Sequence, residues 1–206
     1  MLSLTKELEH EFIFQGRKYE LDLSFDNVLR WYEMCADEEI KNEEKVMRGF
    51  EMFFKACPLD ADLLIEGVQA VEEYIQQSAY GHKETEGDDN PPDPMKYYSY
   101  QQDAEAIYSS ILAQYHIDLV DQQGILHWDK FKALLLGLDD NTIFKRIIDI
   151  RRRPIKSDMD PDEISQLINL KEYYWLEAND SVGSQNEAMQ TQFNDVGRAL
   201  KAWAQG

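Results

Sequence analysis

The sequence predicts a mainly α-helical fold with a minor β component: an N-terminal β-hairpin and two helical units joined by a disordered acidic loop. Apolar residues recur every three or four positions over most of the 206 residues, which is the period of amphipathic helices. One early stretch instead alternates apolar and polar residues around a glycine. A chain of this length can bury a core without disulfides or metals.

The first unit, residues 1–79, begins with the predicted hairpin. Residues 12–25 read FIFQGRKYELDLSF, in which Phe12 and Phe14 share one face and Gln15, Gly16 and Arg17 form a turn. An isolated hairpin is marginal in water, so we expect this one to pack on the helices that follow. Ser24 is the predicted N-cap of the first helix, whose apolar positions are Phe25, Val28, Leu29 and Tyr32.

Two further helices complete this unit. Asn42, followed by two glutamates, marks a helix start, and Pro58 marks the end of that helix. Asp60 is the predicted N-cap of the third helix. The apolar stripes are Val46, Met47, Phe50, Phe53, Phe54 and Cys57 on the second helix, and Leu63, Leu64, Val68, Val71 and Ile75 on the third.

A polar loop separates this unit from the second one. Residues 80–96 contain glycines, acidic residues and three prolines without an apolar period, which predicts a flexible acidic loop. The second unit, residues 97–178, is predicted to contain four helices. The first starts near Tyr97, and the other three cover 127–138, 143–152 and 161–178. We expect Asp139 and Asp140 to separate and cap two of them. Asp160 before Pro161 is a further predicted N-cap.

The remaining residues, 179–206, are predicted to form a flexible tail with one amphipathic segment. A polar linker at 179–187 precedes a narrow apolar seam. Short helices are marginal in water, and Gly197 weakens this one further. The seam is a candidate partner-binding surface of the helix-in-groove kind, formed by Met189, Phe193, Val196, Leu200 and Trp203.

The charge balance limits the classes of partner. Forty acidic residues against 21 basic ones give a net charge of -19, which argues against binding to a nucleic-acid backbone. Residues 145–156 are the exception, since six basic and one acidic side chain give +5 there and leave -24 elsewhere. No apolar run approaches the roughly 20 residues of a membrane span, and the start lacks a signal-peptide pattern. We therefore expect an intracellular protein without a membrane partner, in which Cys35 and Cys57 are reduced.

The sequence contains no motif that indicates catalysis. Phosphate-binding glycine loops, nucleophile elbows, CxxC pairs and HExxH are all absent. His116 and His127 are close in sequence, but structural roles at the end of one helix and the start of the next are favoured over a catalytic or metal pair. The acidic run at 158–162 resembles the start of a calcium loop but has Glu163 where that loop needs glycine. We predict no catalytic residue, metal or cofactor, and hence no enzyme.

Two places in the second unit are further candidates for partner contacts. Leu136 is the only large apolar residue on the polar side of its helix. Arg151 lies in the middle of an apolar arc of about 160° on its own helix. Arg151 therefore extends to solvent from the last turn, pairs with a buried acid, or is reserved with Arg152 and Arg153 for an acidic partner.

Three segments resemble a known family. They are residues 115–119 (YHIDL), 127–138 (HWDKFKALLLGL) and 147–151 (IIDIR). They are similar to the gene-product-fifteen family of long-tailed bacteriophages and prophages of Gram-positive hosts, in which a Tyr-Gly-Ile-Asp-Leu segment precedes a His-Trp-x-x-Phe-x-x-Leu helix and an Ile-x-x-Arg ending. The sequence departs from that pattern at His116, where the family has glycine. The resemblance covers about residues 10–178 and leaves the tail outside.

The resemblance implies a function in phage tail assembly. Genes of the family usually lie between those for the tail-tube and tape-measure proteins, which implies a chaperone that binds the tape-measure protein in the host cytoplasm. The tail-tube protein is a second expected partner, and self-association is compatible with this role. Two alternatives stay open: a structural tail or connector protein that remains in the virion, and an acidic DNA mimic that inhibits a host nucleic-acid enzyme.

Overall fold

The computed structural model describes residues 2–55, 60–77, 94–177 and 179–204, with the side chains of the last helix described as far as Asp195. This part of the chain is mainly helical with one two-stranded antiparallel sheet, which confirms the predicted fold class. A short 3-10 helix at Pro94–Tyr97 precedes α4, and residues 80–93 of the predicted loop lie outside the described residues. The elements are β1 (Glu11–Phe14), β2 (Arg17–Glu20), α1 (Phe25–Ala36), α2 (Asn42–Phe53), α3 (Ala61–Gln76), α4 (Ala104–Tyr115), α5 (Trp128–Leu136), α6 (Ile143–Arg152), α7 (Pro161–Tyr173) and α8 (Val182–Ala204).

The chain forms two compact units, each built from segments that are separated in sequence. The first unit contains the described residues within Met1–Gly87, Gln122–Ala133 and Gln185–Gly206. The second contains those within Asp88–Asp121 and Leu134–Ser184. The division therefore falls inside α5 and inside α8.

The hairpin forms where the alternating pattern predicts it. Phe12 pairs with Tyr19 and Phe14 pairs with Arg17, so the turn contains only Gln15 and Gly16. Both turn residues have positive φ, 47° and 75°, which is the backbone of the tight turn that suits the twist of a hairpin. The hairpin packs on the end of α2, since the rings of Phe12 and Phe54 meet edge to face at 5.8 Å.

The core of the first unit combines α1 to α3 with the start of α5. Phe25 stacks on Phe131 with ring centroids 5.0 Å apart. The backbone N–H of Trp128 donates to the carbonyl of Leu23 at 2.8 Å, and that of Phe25 donates to the carbonyl of Leu126 at 2.8 Å. These bonds attach the start of α5 to the chain immediately before α1.

The core of the second unit lies between α4, α6 and α7. Ile111 and Phe144 are almost completely buried, and Leu167 is the buried residue of α7. Tyr98 contacts the ring of Phe144 edge to face at 5.2 Å. The Ser110 hydroxyl accepts a hydrogen bond from the backbone N–H of Phe144 at 3.2 Å, so α4 holds the first turn of α6 directly.

Two of the predicted N-caps are confirmed. The Asp60 carboxylate accepts from the backbone N–H of Leu63 at 3.0 Å at the start of α3. The Asp160 carboxylate accepts from the backbone N–H of Asp162 at 2.8 Å, with Pro161 at the first position of α7. Both bonds span two or three residues, so the local sequence determines them.

Ser24 occupies the predicted N-cap position of α1, but its hydroxyl donates to Asp22 at 2.7 Å and makes no capping bond to the helix. Other predicted helix ends are wrong. Thr142, rather than Asp139 or Asp140, caps α6 by accepting from the backbone N–H of Lys145. The helix expected from Tyr97 begins at Ala104, and the helix expected to reach Ala178 ends at Tyr173. The predicted end of α2 at Cys57 and Pro58 lies outside the described residues, and the helix itself ends at Phe53.

The last helix begins earlier than the apolar seam suggests. α8 starts at Val182, inside the stretch 179–187 that the sequence assigns to a linker. The Ser181 hydroxyl accepts from the backbone N–H of Ser184 at 3.2 Å and so acts as an N-cap. Val182 is buried in the second unit, where its N–H donates to the carbonyl of Tyr98 at 2.9 Å.

Candidate functional site

The two histidines with predicted structural roles lie at helix ends. His116 follows α4 in the left-handed conformation, with φ 57°. His127 precedes α5, where its Nδ1 accepts from the backbone N–H of Asp129 at 3.1 Å and its Nε2 bonds to the carbonyl of Glu9 at 2.8 Å. Burial lowers the pKa of His127, which keeps the ring neutral so that Nδ1 can accept. His127 is therefore an N-cap of α5.

Buried polar groups beside His127 also have a structural role. The Tyr74 hydroxyl donates to Asp129 Oδ2 at 2.5 Å, and burial together with this bond raises the pKa of the phenol. Burial by itself would raise the pKa of Asp129, but the bond from Tyr74 and the charge of Lys132 lower it overall. Lys132 also donates to the carbonyls of Ile75 and Gln77, so this network closes the C-terminal end of α3.

Arg151 pairs with a buried acid, one of the roles that the sequence left open. Its guanidinium donates two hydrogen bonds to the Asp103 carboxylate at 2.6 and 2.9 Å. It also donates to the carbonyls of Tyr97 at 3.0 Å and Tyr174 at 2.7 Å, and only 7% of its side chain is exposed. Arg151 thus joins α6 to the chain before α4 and to the end of α7.

The other predicted partner contacts of the second unit lie at the surface. Leu136 is 58% exposed. Arg152 and Arg153 are about half exposed, and both form ion pairs with Asp149. Exposed pairs of this kind contribute little to stability, so both guanidinium groups are accessible to an acidic partner. Their role in binding stays a prediction.

The predicted seam of the tail is partly described. Met189 and Phe193 are buried in the first unit, with 2% and 3% of their surfaces exposed. The side chains of Val196, Leu200 and Trp203 lie outside the described residues. The described half of the seam therefore contacts the protein itself, and its role toward a partner stays a prediction.

An open cleft on the second unit brings Arg151 together with residues that the sequence did not single out. It has a volume of about 820 Å³ and lies between the start of α4, α6 and the end of α7. Its lining includes the Arg151 and Asp103 pair together with Ile143 and Tyr173, which are 38% and 80% exposed. The remaining lining residues are Gln102, Ala104, Glu105, Ala106, Tyr108, Ser109, Ile147 and Tyr174.

Trp175 is attached to one residue of this cleft through its backbone. The Gln102 amide donates to the backbone carbonyl of Trp175, and the Trp175 side chain is 61% exposed. Exposed aromatic residues next to a cleft are typical of protein-binding surfaces, where Trp and Tyr contribute strongly. The sequence contains one signal that could have identified Ile143: the apolar arc of its helix is wider than the stripe of about 100° that faces a core. No such signal distinguishes Tyr173.

The described residues contain no metal-binding cluster and no membrane span. In 2–55, 60–77, 94–177 and 179–204, no group of three or more His, Cys, Asp or Glu side chains is arranged to hold a metal ion. None of the helices in these ranges is long and apolar enough to cross a membrane.

Comparison with known proteins gives one match. A family model described as Bacteriophage Gp15 protein matches residues 4–176, which include every element from β1 to α7. No curated protein and no solved structure matches the chain.

Proposed function

From the match over residues 4–176, the chain belongs to the Bacteriophage Gp15 protein family, and we propose that it is a tail assembly chaperone. In this role it binds the tape-measure protein and catalyses no reaction. It acts in the host cytoplasm while the tail is being built. The tape-measure protein is long and helical, and it needs protection until tail-tube subunits surround it. The proposed chaperone covers apolar positions of this client and gives way to the tube protein.

The observation that supports this proposal is the cleft with exposed apolar and aromatic side chains in a strongly acidic chain. Tyr173 in the cleft is 80% exposed, and Trp175, whose backbone bonds to Gln102 of the cleft, is 61% exposed. The net charge of -19 keeps such a chain soluble and repels further copies, so the exposed patch does not lead to aggregation. Exposed apolar side chains on such a highly charged chain are suited to reversible binding of a partner.

A client helix fits the cleft in a simple way. We expect an apolar side chain of the client to contact Ile143 and Tyr173, beside the mutually neutralised pair of Arg151 and Asp103. Glu105, exposed in the wall, attracts a basic residue of the client. Each contact is small and open to solvent, so we expect an affinity low enough for the tube protein to displace the chaperone.

A pulldown of the cognate tape-measure protein with purified chaperone tests the surface. The double variant Ile143→Asp, Tyr173→Ala places a charge in the cleft and removes its most exposed ring, and we expect binding to fall about tenfold or more. Val120→Asp is the matched control, because Val120 is 63% exposed in the same unit but does not line the cleft. Undiminished binding by the double variant would exclude the cleft.

The predicted contacts outside the cleft are tested in the same assay. Leu136→Asp and the double variant Arg152→Glu, Arg153→Glu each change an exposed part of the second unit. If either lowers binding while the cleft variant does not, the client binds at α5 or at the basic end of α6. Deletion of residues 180–206 then measures the part played by the tail.

Mass spectrometry of purified phage particles distinguishes the chaperone from the alternative of a structural tail or connector protein. A chaperone that the tube protein displaces is absent from mature particles or present in traces. Near-stoichiometric copies in the particle would show that the protein remains in the virion, and the chaperone proposal would fail.

A further inference from the structure

An apolar groove on the first unit is filled by the C-terminal helix. Phe193 of α8 stacks on Trp31 of α1, with ring centroids 5.0 Å apart and planes 17° apart. Phe53 of α2 contacts the same indole edge to face at 5.5 Å. Met189, one turn before Phe193, is only 2% exposed. The groove thus accommodates a helix that presents Met and Phe four residues apart.

Polar contacts fix the position of α8 along this groove. The Tyr32 hydroxyl donates to Asn186 Oδ1 at 2.7 Å, and the Gln76 amide donates to the backbone carbonyl of Asn186 at 3.4 Å. Asn186 lies about one turn before Met189. A helix is therefore held by two aromatic or thioether contacts and by one polar position at its start, which is how a groove recognises a separate helical ligand.

The fit of α8 in the groove is incomplete. Among the described residues, the Trp31 Nε1 and Gln192 Oε1 atoms are both buried without a hydrogen-bond partner. Burying a polar atom in this way opposes docking, because the atom loses its bonds to water. Gly197 also lowers the helix propensity of α8. The docked helix is consequently less stable than its buried apolar area implies.

The residues that form the groove lie inside the range matched by the family model, and α8 lies outside it. Residues 4–176, which the family model matches, include Trp31, Tyr32 and Phe53. α8, at Val182–Ala204, lies wholly outside this range. The groove is therefore built from residues within the family match, while the helix that fills it comes from beyond it.

We propose that α8 is an internal, displaceable ligand of this groove, and that the vacated groove binds an amphipathic partner helix presenting Met and Phe one turn apart. The positions of Met189 and Phe193 define the pattern of the partner helix. The acidic chain favours a partner with basic residues flanking that pattern. This inference does not depend on the proposed function, because any helix with this pattern competes with α8.

Binding of a labelled peptide to the full-length chain tests the proposal. The probe is a fluorescein-labelled synthetic peptide of residues 182–204, measured by fluorescence anisotropy. Phe193→Ala in the chain should release α8 and leave the groove intact. The apparent affinity for the peptide depends on the fraction of molecules whose groove is open, so this variant should bind the peptide at least about ten times more tightly than the unchanged chain. Gln190→Ala, at an exposed position of α8, should bind like the unchanged chain.

A second variant, expected to weaken peptide binding, keeps the test informative if Phe193→Ala misfolds. Gln192→Met replaces the buried amide by an apolar side chain of similar length, which should tighten α8 in the groove and weaken peptide binding. This variant carries the test by itself if Phe193→Ala does not fold. A peptide with Phe193 replaced by Ala should bind none of the chains.

Two results would overturn the proposal. The first is equal peptide binding by the unchanged chain, Phe193→Ala and Gln192→Met. The second is a result of hydrogen exchange. We expect the amides of residues 186–195 to exchange faster than those of α1, because α8 leaves the groove without global unfolding. Equal protection of both helices would show that α8 is a fixed part of the core.

Discussion

The ring of Trp31 lies against Gly49 at a distance that leaves no room for a side chain there. A Cβ on Gly49 would come within 1.9 Å of Trp31 Cζ3. The same indole stacks on Phe193, so one aromatic residue of α1 contacts both α2 and α8. Gly49 thus sets how closely α1 and α2 approach, and Trp31 transmits this spacing to the groove that α8 fills.

Gly49→Ala should destabilise the protein by about 2–4 kcal/mol, although alanine is the better helix former. The reason is the overlap of the new methyl group with the Trp31 ring, which has no free space to move into because Trp31 is fully buried. Equilibrium unfolding in urea measures the change. Gly183→Ala is the control, since its Cβ would meet nothing closer than 3.4 Å, and it should be neutral or slightly stabilising.

Arg151→Met should lower the free energy of unfolding by about 3–5 kcal/mol, because it leaves the Asp103 carboxylate buried without a counter-charge. The double variant Arg151→Met, Asp103→Leu should recover much of this loss, since it removes both charges together. Arg153→Met, which breaks an exposed pair, should cost less than about 1 kcal/mol. A similar cost for Arg151→Met and Arg153→Met in urea unfolding would mean that Arg151 is free for a partner.

Glu72→Gln should change how stability depends on pH. Burial raises the pKa of Glu72 from 4.5 to about 7, so between these values the folded chain keeps a proton that the unfolded chain has lost. Stability therefore falls as pH rises from 4.5 to 7 and stays lower above 7. Glutamine removes this loss, and the variant should be more stable by about 2 kcal/mol at pH 8 and nearly unchanged at pH 4.5.

Thermal unfolding at a series of pH values measures the effect of Glu72→Gln. Glu66→Gln on the same helix is the control, because Glu66 is exposed. If the two variants show the same pH dependence, Glu72 titrates as an ordinary surface carboxylate and the interpretation of its burial is wrong.

His116→Gly should stabilise the second unit by about 1 kcal/mol. His116 has φ 57° at the end of α4, a conformation that glycine adopts without strain. Gly124→Ala should have the opposite sign, because Gly124 has φ 69° and a Cβ there would meet no neighbouring atom, which leaves backbone strain as the cause. Differential scanning calorimetry compares both variants with the unchanged chain. A loss of stability in His116→Gly would indicate that the imidazole itself is needed.

His116 stands at a position where the resemblance implies glycine. Its backbone has the conformation that glycine favours, with histidine in place. The turn therefore persists because the packing of α4 and of the segment after it outweighs the local preference of one residue. The sequence alone could not decide whether the turn would survive this substitution.

Features that depend on neighbouring residues followed from the sequence by itself. The caps at Asp60 and Asp160 and the amphipathic helices are predictable because their hydrogen bonds and periodic faces join residues within about one turn. The hairpin is predictable because its paired residues are at most nine positions apart. The absence of catalytic motifs and the resemblance around His127 and Trp128 also required only the order of residues. These features identify the fold class and the family.

Tertiary structure decided the rest, because it depends on residues that are distant in sequence. α4 begins at Ala104 rather than near Tyr97, and Asp103 immediately before it pairs with Arg151, 48 positions further on. Phe193 is buried because it stacks on Trp31, whereas Tyr173 is 80% exposed even though its ring contacts that of Tyr174. Periodicity shows which face of a helix is apolar, but only packing determines whether that face is covered, by what, and which apolar residues remain for a partner.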